Sequence, residues 1–599
     1  MRMKNVLYVV VTVLLAYFLT GCDRIVAPEI VRIASESNTL WITDRAGKKI
    51  WMVDRTNGKA LGKQTLPSAI NDLRVDVKGR LWAVCDGQNG HLCELNPTNL
   101  KVLSDTPLGY SPSSLAFNEK TGTLWITHRF NNELWEINPV TKEILSCISV
   151  GREPVGVISF HGGDYMLVVN NLPAMAATGY PVAAHVDVID VARKTIVKSI
   201  QLTNGATDVR GVAISPDGKY AYVTHLVGRY QLPTNQVDRG WMSTNALSVI
   251  NLSGLSLETT FLLDTPQRGA ANPSTIELSP DGQYMVIALS GSHELCVIDR
   301  LALHDRLAAV KNGKNDIPSI RKWEDIPNDA GFLYGIRDFV SSGGKGPRGL
   351  VIGSDNTIVV ANYFTGEITA LDNQGKITRR FTLGIPVVST KEGLGNMYFH
   401  DATLCFQQWQ SCASCHPNDA RMDGLNWDLL NDGAGNPKNT KSLLFAHRTP
   451  PCMITGIRKN AETAVRSGLK FIHFADAPDE IAQAMDAYLQ SLVPMASPYL
   501  DGGRLSNAAV RGKSHFDAYC ASCHAGPYYT DMKQYRIDWA TPRDNVPMDV
   551  PALTEVWRTA PYLYDGRSYT MYEMLDTHGP EKKLSSAELD DLAIYVLSL

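Results

Sequence analysis

No apolar run in this chain is long enough for a comfortable membrane span; the longest, Val6–Leu19, is only fourteen residues. The chain also has little charge imbalance. Its 57 Lys and Arg against 61 Asp and Glu leave a net charge of −4, so there is no electrostatic argument for nucleic acid or an anionic surface as partner. Cysteine is sparse, 11 in 599 residues, too few for a disulfide-built scaffold. The first two thirds hold no calcium loop, phosphate loop or Ser-His-Asp arrangement. Hydrophobic content of 44% and charged content of 20% are those of an ordinary globular protein, and the length suggests about two to four domains.

What is present is concentrated. Ser411-Cys412-Ala413-Ser414-Cys415-His416 recurs, changed only at its first residue, as Tyr519-Cys520-Ala521-Ser522-Cys523-His524. Cys-x-x-Cys-His reads as an attachment site for c-type haem. Residues three apart face the same way on one helical turn, so both thiols can reach the vinyl groups of one porphyrin while the adjacent histidine ligates the iron. A redox Cys-x-x-Cys or half of a zinc site is the competing reading; it leaves two histidines at the same offset unexplained. The expected cofactors are therefore two covalently bound haems, held by Cys412 and Cys415 with His416, and by Cys520 and Cys523 with His524.

Arg2 and Lys4 precede the short apolar run, and Leu19-Thr20-Gly21-Cys22 follows it. This is the layout of a signal peptide, and its end resembles the lipobox of bacterial lipoproteins. The resemblance implies residues 1–22 as leader, Cys22 as lipidated anchor, and an exported, periplasmic or cell-surface protein tied to a membrane. Of the remaining cysteines, Cys85 with Cys93 and Cys405 with Cys452 are candidate disulfides in an oxidising compartment. Cys147 and Cys296 read as buried core thiols.

Over residues 30–385 one pattern returns: Leu40-Trp41-Ile42-Thr43, Leu81-Trp82-Ala83-Val84, Leu124-Trp125-Ile126-Thr127, Met166-Leu167-Val168-Val169, Ala221-Tyr222-Val223-Thr224, Met285-Val286-Ile287-Ala288 and Ile358-Val359-Val360-Ala361, each followed by a turn and a strand ending in Asp or Asn. A period near forty with several short strands per unit is the signature of propeller blades, and seven units imply seven blades. Tyr222-Val223-Thr224 and the turns Ser215-Pro216-Asp217-Gly218 and Ser279-Pro280-Asp281-Gly282 resemble the YVTN or YncE-like propeller family. The later intervals widen around two insertions. Leu226–Thr244 carries Arg229, Gln236, Arg239 and Trp241; residues 301–345 begin with a predicted helix, Leu301–Val310. Both are expected to touch the haem-bearing half. His128 and His225 occupy equivalent positions, as a ligand pair or as hydrogen-bonded core histidines.

From residue 391 the pattern turns helical and duplicates itself, giving lobes 391–500 and 501–599. Ser506 is a predicted cap for a helix Asn507–Tyr519, and Ser585-x-x-Glu588 a capping box. Ile481, Met485, Tyr488 and Leu492 form one helical face. Ala446-His447-Arg448-Thr449-Pro450-Pro451 is matched by Val556-Trp557-Arg558-Thr559-Ala560-Pro561, and Gly456 by Gly566. This duplication, with the run Ala552–Arg567, resembles the bacterial dihaem cytochrome c peroxidase and MauG family. The resemblance implies a mostly α dihaem domain, a peroxidase-like oxidoreductase using one haem for peroxide or another small oxidant, an electron-donor or acceptor protein as partner, and leaves open a calcium ion between the lobes. It places the sixth ligand of the second iron at His578, with Met571 or Met574 as alternatives. The internal copy aligns His473, either as sixth ligand of the first iron or as acid–base catalyst beside it. Arg448 and Arg558 are matched cations for haem propionates or for bracing the backbone. Trp557, Tyr562 and Tyr564 could relay electrons or simply pack; His447 reads as structural. The chain departs from the family where a distal-loop histidine is absent near Asp432 and Ile454 stands in place of an inter-haem tryptophan. The rival expectation is a non-catalytic electron-transfer cytochrome with two bis-His haems.

Overall fold

The computed structural model describes residues 30–36, 38–231, 242–383, 390–428, 437–536, 546–578 and 584–599, the strand Ile30–Glu36 by its backbone alone. The leader and Cys22, Gln236, Arg239, Trp241 and Asp432 lie outside the described residues.

Seven antiparallel sheets follow one another without any exchange of strands: Ile30–Thr65, Ile70–Gly109, Pro112–Ser149, Pro154–Gln201, Ala206–Leu262, Pro273–Ser341 and Pro347–Thr382. The repeat read from the sequence is the middle pair of each blade. Leu40–Thr43 lies in the strand Thr39–Asp44 and pairs with Lys49–Asp54. These middle strands are buried on both faces, which is why they read as continuous apolar runs. The outer strands alternate, as in Ala60–Thr65 with every second residue exposed. Trp82 and Trp125 are fully buried between blades, and each finds a partner for its indole N–H: Asp76 Oδ2 at 3.0 Å and Thr123 Oγ1 at 3.1 Å. The turn glycines Gly218 and Gly282 sit at φ 68°, a region that glycine enters without strain.

The inner strands of blades 2 to 7 line a cavity of about 670 Å³, among others through Asp72, Arg74, Arg210 and Glu277. The second insertion contains the expected helix, running Arg300–Lys311, and a 3₁₀ segment Trp323–Asn328. Ile326, Phe332 and Leu333 cover the outer core of blades 5 and 6. Most of this insertion therefore packs on the propeller, while Lys345 reaches across to Asp401 at 2.9 Å. Arg229 ties the two insertions together through Asn328 Oδ1 and the Pro327 carbonyl, each at 2.7 Å.

Beyond the propeller the chain is helical: Lys391–His400, Ala461–Phe471, Asp479–Ser491, Asn507–Tyr519, Met571–His578 and Ser586–Leu597. Ser506 caps its helix by accepting from Ala509 N, and Ser585 with Glu588 forms the capping box. The duplication is physical. In each half the first helix crosses the last at a glycine: a Cβ at Gly395 would strike the Ala484 carbonyl, and one at Gly512 the Asp591 carbonyl. Both halves carry a cis proline, Pro451 and Pro561, followed by a bridge, Cys452 to Arg458 and Tyr562 to Ser568. No described helix is long and apolar enough to cross a membrane.

No disulfide joins any of the ten described cysteines, so neither expected disulfide is present. Cys85 opposes His91 and Cys93 opposes Ala83, which sets the two thiols diagonally across the ladder. Cys452 turns toward the Ala446 carbonyl, whereas Cys405 lies near the first haem motif. Cys296 is buried as expected, but Cys147 is exposed: it sits on an outermost strand, Ile144–Ser149, whose alternate residues face solvent.

Candidate functional site

Each attachment motif forms the same local device. Cys412–Cys415 is one helical turn, and His416 Nδ1 lies 3.1 Å from the Arg421 carbonyl. In the second lobe His524 Nδ1 lies 3.0 Å from the Tyr529 carbonyl. A carbonyl can only accept, so Nδ1 carries the proton and Nε2 keeps its lone pair for a metal. Burial lowers the pKa of both rings, keeping them neutral and fit to ligate. The donor sets thus fit two c-type haems. Among the described residues no three His, Cys, Asp or Glu side chains gather as a ligand set for a metal ion.

The partner imidazoles differ between lobes. His578 ends the helix Met571–His578, and its ring faces that of His524 with centroids 6.3 Å apart and planes at 79°. His578 is exposed by surface area; the crowding is on its His524 side, where desolvation, then the second ring, pushes its pKa down to about 4. His473 is buried, with Nε2 3.8 Å from Cys412 Sγ and Nδ1 without a hydrogen-bond partner. Burial pushes its pKa to about 4.

The surroundings differ as well. Cys415 packs with Leu425, Trp427 and Ile472 of its own lobe and with Met175, Val182, Tyr230 and Met242 of the propeller. The first insertion does touch the helical half here, through Tyr230 and Met242. So does a third excursion, Asn171–Ala184, which sequence reasoning missed, although the widened interval around it was its signal; Ala177 N donates to the Gly566 carbonyl at 2.8 Å. Among the described residues Cys520 packs within its own lobe, and Ser522 and Tyr519 are exposed.

The two matched arginines are not equivalent. Arg448 is exposed and lies over the Phe445 ring at 5.4 Å. Arg558 is buried and held by Glu555 Oε1 at 3.0 Å and the Asn418 carbonyl at 3.0 Å. Glu555 also accepts from Arg421 at 2.8 and 3.1 Å, and Arg152 of the propeller donates to the Arg558 carbonyl at 3.2 Å. This ionic knot joins both lobes to blade 4. Trp557 meets Phe130 and Tyr110 of blade 3 at centroid distances of 5.2 and 6.5 Å. Tyr562 packs in the second lobe's core, and Tyr564 lies beside Arg567.

His447 is tied to Asp486 at 2.9 Å. His128 stacks on Trp135, with Nδ1 at the Tyr110 carbonyl, and His225 bonds Ser248; both are buried hydrogen-bonded side chains. Sequence reasoning also missed Asp423. Buried beside Cys415, it accepts from Thr440 Oγ1 at 2.7 Å, Trp427 Nε1 at 2.8 Å and Leu425 N at 3.0 Å, and burial pushes its pKa up to about 7. Its copy Asp531 accepts from Tyr535 Oη at 2.6 Å; the recurrence of an acid followed by an aromatic four residues on was the available signal.

No protein-family model matches the chain. It is 25% identical over 190 residues to hydrazine synthase subunit beta of Kuenenia stuttgartiensis, covering 31% of this chain and 46% of that one. It is 24% identical over 270 residues to hydrazine synthase subunit gamma of the same organism, covering 34% of this chain and 76% of that subunit. The chain thus spans about half the length of the beta subunit. A solved hydrazine synthase structure from this organism superposes with a TM-score of 0.52 at 20% identity, over 60% of this chain and 99% of that one. That likeness bears on the fold, and agrees with a seven-bladed propeller.

Proposed function

We propose that the chain is an exported, lipid-anchored dihaem c-type oxidoreductase in which the first haem site does chemistry on a small molecule and the second passes electrons. The observation that carries this reading is the unlike environment of two like motifs. A haem at each motif would supply one-electron redox chemistry. His416 and His524 would hold it through Nε2, each ring being fixed by a backbone carbonyl. His578 stands beside His524 and would supply a second imidazole there, and this site, being near the surface, suits exchange with a partner protein. At the first site His473 brings a neutral ring whose Nδ1 is unpartnered. In that state it can ligate, or accept a proton from a bound substrate, but it is a poor acid at neutral pH. Val182, Met242, Leu425 and Trp427 keep bulk water from this site.

Peroxide or another small oxidant is the substrate class implied by the dihaem peroxidase resemblance. The relatives are subunits of hydrazine synthase, which adds small nitrogen compounds to that class and suggests that the chain works within an assembly. A second reading is favoured by the position of His473 against the first motif: two irons each closed by two imidazoles, transferring electrons without turnover. Electron paramagnetic resonance of the oxidised and half-reduced protein separates them. One low-spin iron together with one iron that is high-spin or takes up cyanide is expected. Two low-spin irons that bind neither cyanide nor carbon monoxide select the second reading, and a mature chain lacking the mass of two macrocycles overturns both.

A further inference from the structure

The first motif is held by hydrogen bonds from another domain. Asn272, in the loop before the inner strand of blade 6, has φ 54°, a left-handed backbone seldom adopted by a residue with a side chain, and it is buried. Its Nδ2 donates to Ser414 Oγ at 3.1 Å, and its Oδ1 accepts from Ser411 Oγ at 3.0 Å. These are the two serines that bracket Cys412. Asn272 is itself fixed, since its backbone N donates to Asn245 Oδ1 at 2.9 Å. Asn245 in turn donates to Asp264 twice, at 2.8 Å each, and to the Trp409 carbonyl at 3.2 Å. Two further backbone bonds flank this line: Gly269 N to the Gln407 carbonyl at 2.9 Å, and Ala402 N to the Gly291 carbonyl at 3.0 Å.

We propose that Asn272 is a positioning residue for the first haem-attachment motif: the propeller sets the conformation of Ser411–His416, so the first site is built by two domains and the second by one. Asparagine enters the left-handed region more readily than most residues with a side chain, and here that turn aims both ends of its amide at the motif. The second motif has the matching serine, Ser522, but it is exposed and makes no hydrogen bond to the propeller among those described. Its conformation comes from its own lobe.

The inference rests on the haem reading only for its effect on the cofactor, and the test separates the two. In the full-length chain, Asn272→Gly removes the side chain and keeps the left-handed backbone accessible. Amide exchange over residues 412–416 is expected to quicken about tenfold, the equivalent of one or two lost buried hydrogen bonds, with residues 520–524 unchanged as internal control. In the haem-loaded protein one of two reduction potentials is expected to move and the other to stay. Equal change at both motifs, or none at the first, overturns the proposal. Should Asn272→Gly fail to fold, Ser411→Ala removes its bond to Asn272 from the other side and leaves the Ser411 N to Ser414 Oγ bond inside the motif in place; if it folds without loosening residues 412–416, the proposal is likewise overturned. Loosened exchange in a chain that carries no haem leaves the positioning role standing and removes the haem reading alone.

Discussion

Glu555 gives the most demanding test of how the three parts are joined. Its side chain is 1% exposed and lies between two guanidiniums, Arg421 and Arg558, themselves almost fully buried; it also accepts from Met495 N at 3.2 Å. Glu555→Ala leaves two cations in low dielectric with one fewer counter-charge. Removing one member of a buried ion pair costs about 3–5 kcal/mol, because the partner's desolvation is no longer offset. At about 2–4 °C per kcal/mol for a cooperative unit the size of the two lobes, the melting temperature should fall by roughly 6–20 °C. Glu555→Gln keeps an acceptor and should cost less, about 1–3 kcal/mol. Calorimetry on the full-length chain gives the loss directly, and adding Arg558→Met to Glu555→Ala should recover part of it by removing one orphaned charge. A loss below about 1 kcal/mol for Glu555→Ala, or no recovery in the double variant, would refute a desolvated ionic knot at this junction.

Three other expectations follow from equally local features. Gly512→Ala drives a methyl group into the Asp591 backbone and should destabilise the second lobe by about 1–3 kcal/mol, whereas Gly468→Ala, with open space around it in the helix Ala461–Phe471, should stabilise by about 1 kcal/mol; denaturant titration that ranks them the other way contradicts the helix crossing. Asp423 holds its proton more tightly folded than unfolded, its pKa being raised from 3.8 to about 7. Its contribution to stability is therefore complete at low pH and lost as pH rises from about 4 to about 7, on the order of 4 kcal/mol in all. Asp423→Asn should flatten that slope in unfolding curves at about pH 5 and about pH 8, and parallel slopes in the two proteins would count against it. His578→Ala should convert one low-spin signal to high-spin while leaving the other unaltered; an unchanged spectrum would return the sixth ligand to Met571 or Met574.

Much of this was readable from residue order. The seven middle-strand pairs announce themselves because burial on both faces demands unbroken apolar runs such as Leu81-Trp82-Ala83-Val84. The outer strands do not, since Thr195–Gln201 is almost wholly exposed and shows little beyond β-branched residues. Cys147 reads as a core thiol for the same reason: a thiol on an outer strand looks no different in sequence from one on an inner strand. The duplicated lobes were legible down to Gly456 and Gly566, because both must take a left-handed turn. Which arginine is buried was not, for Arg448 and Arg558 have matching neighbours in the chain and differ only in what folds over them. Asn272 left no trace at all. One asparagine in a loop acquires its role from a motif far along the chain.

The propeller ring has a single seam. Every blade is made from one contiguous stretch, so nothing covalent interlaces the first with the last, and Ile30–Glu36 simply lies against Pro347–Ile352. What fastens the circle there is side-chain interlock: Leu40, Ile42 and Val53 against Val359 and Ile368, the ion pair of Arg55 with Asp355, and Arg379 donating to the Arg55 carbonyl at 3.0 Å. The other six junctions are each bridged by the polypeptide itself. Heat or mechanical load should therefore part the circle between its two chain ends, while the helical lobes, held to blades 3 and 4 through Trp557 and Arg558 and to the loop before blade 6 through Ser411 and Ser414, would stay with those blades.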